Sequence, residues 1–200
     1  MSLDKIGGNL FIATHNAGKL REFRKILQDV DLQIGSAIDM KLPDVEETAN
    51  TFRGNALLKA KSGLEASGLP TIGDDSGLCI DALGGKPGIH SARWGGPDRD
   101  FNLAMQRVEQ EMGATENTKA HFVAVLALAM PDGSVEYFEG FAHGTISFPI
   151  RGGDGFGYDP IFIPDGYDQT YAEMGQEKKS TISARFLAIQ QLLNYCKVAA

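Results

Sequence analysis

The chain has 200 residues, 42% of them apolar and 22% charged, which is enough for one large domain or two small lobes around a real core. A formal net charge of −7 argues against a nucleic-acid groove or an anionic membrane surface as the main partner, while leaving room for a local basic pocket that takes a small anion. Cys79 and Cys196 lack metal or redox spacing, and the N-terminal stretch is too polar for a signal peptide or a spanning helix, so a cytoplasmic protein is expected.

In chain order, "NLFIAT" is a short apolar run without helical period and predicts a buried strand. After "HNAGK", the segment "KLREFRKILQDV" puts Leu20, Phe23, Ile26 and Leu27 on one helical face and Arg21, Glu22, Arg24 and Lys25 on the other. "DLQIGSAIDM" predicts a second strand. An acidic loop, "LPDVEETANT", then leads to a helix capped at Asn50 or Thr51 and ending near Gly68.

"LPTIGDDSGLCIDAL" predicts a strand, a turn at the paired aspartates, and a second extended piece. Adjacent strand residues face opposite ways, so Asp74 and Asp75 share a cleft only where the strand has stopped. Either one is structural and the other chemical, or both are turn residues. Pro97 and Gly113 bracket a helix over "DRDFNLAMQRVEQEM", and "PDG" joins two long apolar runs as a hairpin. The glycine-rich "RGGDGFGYDP" leads to the strand "IFIP", and Ile182, Phe186, Ile189 and Leu193 mark a C-terminal helix. Strands alternating with helices plus one hairpin indicate an α/β fold with a mixed sheet, whose ligands sit beyond the carboxyl ends of its strands.

Three loops carry chemistry. "THNAGK" joins a buried strand to a helix N-terminus, where small residues and the helix dipole suit a phosphate and Lys19 adds a cation. It is not a Walker loop, and Asn and Gly also occur in such turns for conformation alone. Glu46 and Glu47 on one loop and Asp74 and Asp75 on another offer the one or two carboxylates that Mg²⁺ takes alongside substrate phosphates; the alternative is a set of solvated turn acids. In "GGDGFGYDP", Phe156 or Tyr158 is placed to stack on a base and Asp159 to orient it, or the aromatics plug the core. Lys59, Lys178, Lys179 and Arg185 either offer positive charge to a polyphosphate or are solvated helix residues, the commoner case. The four histidines show no zinc spacing.

Taken together, "ATHNAGKLREF", "VEET…TF…NALLKA", "LPTIGDDSGLCIDALGGKPGIHSAR", "GFGYDPIF" and "EKKSTIS" resemble the inosine/xanthosine triphosphate pyrophosphatase family, in family order and over nearly the whole chain. The resemblance implies one nucleoside triphosphate pyrophosphatase domain over residues 1–200, with an elongated mixed sheet, flanking helices and two lobes around an active-site cleft. It also implies a homodimer and Mg²⁺-dependent hydrolysis of ITP, dITP and XTP to the monophosphate and pyrophosphate. Carried over by residue, Thr14, His15, Asn16, Ala17, Gly18 and Lys19 would bind the triphosphate. Glu46, with Glu47, would hold the metal, and Asp75 would be both metal ligand and proton acceptor. Ser76 would contact substrate, while Phe156, Gly157, Tyr158 and Asp159 would clasp the base. Lys59, Lys179 and Arg185 would complete the pocket, with Asp74 bracing the turn.

Three departures stand out. The family usually reads Ser-His-Arg-Gly near its C-terminus, and by resemblance that His helps to recognise the purine carbonyl; here Ala184 and Phe186 replace His and Gly. Two alternatives follow: a pyrophosphatase with altered base preference, or a nucleotide-binding protein without catalysis. His15 stands where Gly is common, either crowding or assisting the phosphates, and Gly54 stands where Glu is common.

Overall fold

The structure is a computed structural model that describes residues 4–197; residues 1–3 and 198–200, counted in the single domain expected from sequence, lie outside them. The main elements are β1 (Asn9–Ala13), α1 (Ala17–Ile26), β2 (Gln33–Ser36), α2 (Phe52–Ser67), β3 (Thr71–Ile80), β4 (Lys86–Pro87), α3 (Phe101–Met112), β5 (Lys119–Ala129), β6 (Val135–Ile146), β7 (Phe162–Pro164), α4 (Tyr171–Lys179) and α5 (Ala184–Cys196). The strands pair in the order β2-β1-β3-β5-β6-β7, with β4 on β3, so the fold is α/β with a mixed sheet. Among the described residues, no helix is long and apolar enough to cross a membrane. The chain divides into two compact units: residues 1–75, 124–140 and 185–200, and residues 76–123 and 141–184.

In the first unit, β1 runs parallel to both β2 and β3, as strand–helix–strand crossovers require. Leu10, Phe11 and Ile12 are at most 1% exposed and form the middle of the core. Helix α1 turns Leu20 and Phe23 inward, each burial contributing about 1.5–3 kcal/mol. Helix α5 closes the core with Ala188, Ile189, Leu192 and Leu193; Ile182 lies before this helix and Phe186 is only half-buried, so its inward stripe differs from the expected one. Helix α2 begins at Thr51, whose side chain accepts from the Gly54 amide at 3.0 Å, and stops at Gly68, whose φ of 67° a side chain would resist. The predicted hairpin is present as neighbouring β5 and β6, its turn closed by Gly133 N–H donating to Met130 O at 2.9 Å.

Two expectations are corrected here. The paired aspartates do not mark a turn: β3 runs unbroken from Thr71 to Ile80 through both of them. Glu22, placed by periodicity on the solvent face of α1, is fully buried. In both cases buried cations reach the carboxylates, so the backbone need not carry them to water.

In the second unit, the end of β3 pairs antiparallel with β4, and β6 pairs antiparallel with β7. Helix α3 starts at Phe101 under an Asp100 cap, three residues later than the proline bracket suggests, because the Asp100 side chain takes the Asn102 amide at 2.8 Å. An aromatic core joins Phe122, Phe162 and Tyr171, with ring centroids 4.8 and 5.1 Å apart along that chain. Helix α4 is missing from the sequence expectations, although Thr170 and Glu173 form a reciprocal capping box ahead of it.

Candidate active site

In the first unit, the loop after β1 is shaped by its own side chains. The Asn16 amide donates to Thr14 Oγ1 at 3.2 Å, and Asn16 Oδ1 accepts from the Lys19 amide at 3.1 Å, capping α1. Residues 14–19 thus form a tight turn into a helix start. There the amides of Ala17 and Gly18 fall outside the helix's own ladder and are free by geometry to meet an anion.

Because β3 is continuous, alternation sends Asp74 and Asp75 to opposite faces. Asp74 is 1% exposed. It accepts from Lys19 Nζ at 2.5 Å, from Arg185 Nε at 2.7 Å and from Arg185 Nη2 at 3.3 Å, while Arg185 Nη1 donates to Glu22 Oε2 at 2.5 Å. Burial alone would push the Asp74 carboxyl up, but Arg185 and Lys19 outweigh it and hold it well below the carboxylate range. Burial lowers the Lys19 ammonium despite Asp74, whereas the Arg185 guanidinium is held up against burial by Asp74 and Glu22. Asp74 therefore anchors two of the cations assigned to the triphosphate, a larger role than bracing a turn.

On the other side, Asp75 is 4% exposed. Its Oδ1 accepts from Lys59 Nζ and its Oδ2 from Asn55 Nδ2, both at 3.2 Å. Lys59 Nζ also lies 2.5 Å from Glu47 Oε1 and donates to the Asp74 carbonyl at 3.1 Å. One ammonium serves two carboxylates. Burial pushes the Asp75 carboxyl up, with Glu47 adding to the effect of burial against Lys59. For Lys59 the attraction of Asp75 and Glu47 exceeds the opposing effect of burial and raises its value.

Glu47 is thus the glutamate brought to Asp75, whereas Glu46 is exposed. Among the described residues, no group of three or more His, Cys, Asp and Glu is arranged to hold a metal ion. Asp75 and Glu47 instead converge on the Lys59 ammonium, and two carboxylates placed in this way could hold a divalent cation that takes its other ligands from phosphate oxygens and water.

Asn55 is the residue that sequence reasoning passed over. It is fully buried, donates to Asp75 and accepts from the Ala49 amide at 3.0 Å. Its signal is in "NALLKA": a polar residue four positions before Lys59 lies on the same helical face. Glu22 carries the same kind of signal, three positions after Lys19. The His15 ring reaches Leu42 O at 2.8 Å and Asp44 Oδ1 at 3.2 Å.

In the second unit, Gly155 adopts φ 90°, and a Cβ there would meet Asp159 Oδ2 at 2.3 Å. That closeness lets Asp159 Oδ2 accept from the Phe156 amide at 2.8 Å and from Lys179 Nζ at 2.6 Å. The Lys179 ammonium sits 4.1 Å from the Phe156 ring centroid, covering one ring face. Phe156 is half-buried; Tyr158 is 2% exposed, with its hydroxyl donating to Ser91 O at 2.8 Å and its ring edge-on to Phe101 at 5.4 Å. Of the two aromatics, Phe156 keeps partial exposure and Tyr158 is a core anchor. Gly157 holds φ 69° between them, Ser76 is half-buried just past Asp75, and Ala184 is a buried methyl with no hydrogen-bonding group.

Residues 10–195 match the Ham1 family. The chain is 54% identical over 193 residues to the dITP/XTP pyrophosphatase of Rhodospirillum centenum, covering 95% of each chain. It is 48% identical over 190 residues to that of Gluconobacter oxydans, covering 95% of this chain and 91% of the other. The solved Ham1 protein of Staphylococcus aureus superposes with a TM-score of 0.82 at 36% identity, covering 94% of this chain and 97% of that one.

Proposed function

The chain belongs to the Ham1 family, and from that premise we propose that it hydrolyses ITP, dITP and XTP to the monophosphate and pyrophosphate. The observation carrying this reading is the convergence of the Glu47 and Asp75 carboxylates on one cation position in the unit that also holds the residue 14–19 loop. The reading takes residues 1–200 as one functional domain, working as a cytoplasmic homodimer without nucleic-acid or membrane partners. The net charge of −7 and the resemblance to the family support that setting.

In this mechanism the triphosphate is received by the amides of residues 14–19, with Lys19 and Lys59 neutralising its charge. Asp75 and Glu47 would hold Mg²⁺, which would supply Lewis-acid polarisation of the phosphate oxygens. Asp75 orients the attacking water and accepts its proton as the water oxygen adds at the α-phosphorus; the bond to the bridging oxygen breaks and pyrophosphate departs. Asn55 holds the Asp75 carboxylate in orientation through Oδ2. Arg185 keeps Asp74 and Glu22 neutralised beneath the site. The base is taken by Phe156, with Asp159 and Lys179 fixing that ring.

The test is pyrophosphate release from dITP, ITP and XTP beside dATP and dGTP, with and without Mg²⁺. Release confined to the deaminated nucleotides and requiring the metal is the expected result. Equal kcat/KM across all five nucleotides, or release unaffected by chelation, would overturn the reading. A second reading, altered base preference, is favoured by the buried Ala184 methyl where the family pattern has a hydrogen-bonding His. An Ala184→His variant that shifts preference within the same panel would support it.

A further inference from the structure

The segment at 43–50, which carries both glutamates, contains no helix or strand, yet Glu47 lies 2.5 Å from Lys59 Nζ. Such a segment keeps one conformation only if its ends are fixed. Downstream it is fixed by Asn55, which accepts the Ala49 amide at 3.0 Å, and by the Thr51 cap. Upstream, the Leu42 amide donates to Ala37 O at 3.0 Å, and the Leu42 side chain packs on the cluster of Phe11, Ala13 and Ala37.

Between these two points His15 reaches the segment. Its Nε2 is 2.8 Å from Leu42 O and its Nδ1 is 3.2 Å from Asp44 Oδ1, with the His15 side chain three-quarters withdrawn from solvent at 25% exposure. A carbonyl and a carboxylate only accept, so the ring donates to one of them as neutral imidazole and to both as imidazolium. A glycine at position 15 has no side chain to make either contact.

We infer that His15 is a positioning residue: its imidazole staples the acidic segment to the phosphate loop and so holds Glu47 at the cation position it shares with Asp75. The kinetic half of this inference rests on the reading under Proposed function; the conformational half rests on the contacts alone. Replacing the ring leaves the segment anchored at Leu42 and at Ala49 but without the contact at Asp44 between them, so Glu47 samples positions away from Lys59 and metal capture weakens.

The experiment compares wild type with His15→Gly, Asp44→Asn and the double variant. Amide hydrogen exchange of the protein without metal or nucleotide is expected to rise about tenfold or more at residues 43–47 in His15→Gly, with β1 and α1 unchanged. The Mg²⁺ concentration for half-maximal pyrophosphate release from dITP should rise in both single variants, about tenfold in His15→Gly, and kcat at saturating Mg²⁺ should stay within about twofold in Asp44→Asn, which lies outside the loop that receives the triphosphate. A His15→Gln variant, which retains an amide donor, should recover part of both effects. Because His15 and Asp44 act through one contact, the double variant should exceed neither the exchange nor the Mg²⁺ requirement of His15→Gly. Unchanged exchange at 43–47, an equal rise throughout α1, or additive effects in the double variant would overturn the assignment. Should wild type release no pyrophosphate from any nucleotide, the functional reading falls, while the exchange result still decides the staple.

Discussion

Asp75 competes with Glu47 for a single ammonium in a pocket that excludes most water. Asp75→Asn keeps the shape and the Asn55 contact but removes the proton acceptor. Pyrophosphate release should fall by about 10² to 10⁴-fold, with the thermal midpoint nearly unchanged. Because its carboxyl is raised above the ordinary 3.8, the acid limb of kcat/KM should lie above that value, activity being lost as pH falls through it and the carboxylate takes up a proton. A limb at or below 3.8 would remove Asp75 as the titrating group.

Asp74 has the opposite sign. Its depressed value means that it contributes stability in full above the ordinary 3.8, and that this is lost as pH falls from there towards its folded value. Asp74→Asn should cost about 3–5 kcal/mol in urea unfolding at pH 7, by leaving Lys19 and Arg185 buried without their carboxylate. The gap to wild type should narrow in acid. At this scale the sequence singles out both aspartates. It does not show that the two aspartates split between scaffold and reaction, because that depends on β3 continuing, and β3 continues only because distant cations, Arg185 above all, reach it.

The helix–strand contact that presents Lys59 is set by glycine. A Cβ on Gly73 would lie 2.0 Å from Ala56 O and 2.5 Å from Ala60 N, both backbone atoms of α2 that cannot move alone. Gly73→Ala should therefore push α2 off β3, costing about 1–3 kcal/mol or more in chemical unfolding and lowering kcat/KM through Lys59 and Asn55. A variant with wild-type stability would show that α2 can adjust without cost. Gly54 is explained at the same scale: a Cβ there would come within 2.5 Å of the Ala49 methyl, so the departure from Glu is matched to this chain's own Ala49. Most elements are legible from caps and periodicity, including the Thr51 start and Gly68 stop of α2. Helix α4 is less so, since Gly175 at φ 74° interrupts its regular geometry and leaves only the capping box as a signal.

For the chain as a whole, the residues proposed for phosphate and metal lie in the first unit and those proposed for the base in the second. By that proposal, a dITP analogue should stabilise the protein through Glu47 and Asp75 only when Mg²⁺ is present. At a hundredfold excess over Kd of a non-hydrolysable dITP analogue with Mg²⁺, about 2.7 kcal/mol is expected, read as a rise in thermal midpoint that chelation abolishes. A rise that survives chelation would separate nucleotide affinity from the carboxylate pair.

The adjacency of Asp74 and Asp75 on an unbroken strand has one more consequence. Side chains on β3 alternate, so losing or gaining one residue between Thr71 and Asp74 would rotate the whole downstream segment by half a period. An insertion would bring Asp74 to the place that faces Lys59 and carry Asp75 beyond it, and a deletion would bring Asp75 to the place that faces Arg185 and press Asp74 where Gly73 meets α2. Length changes upstream of the diacid therefore break the paired contacts at a stroke, whereas substitutions at the same positions can be graded.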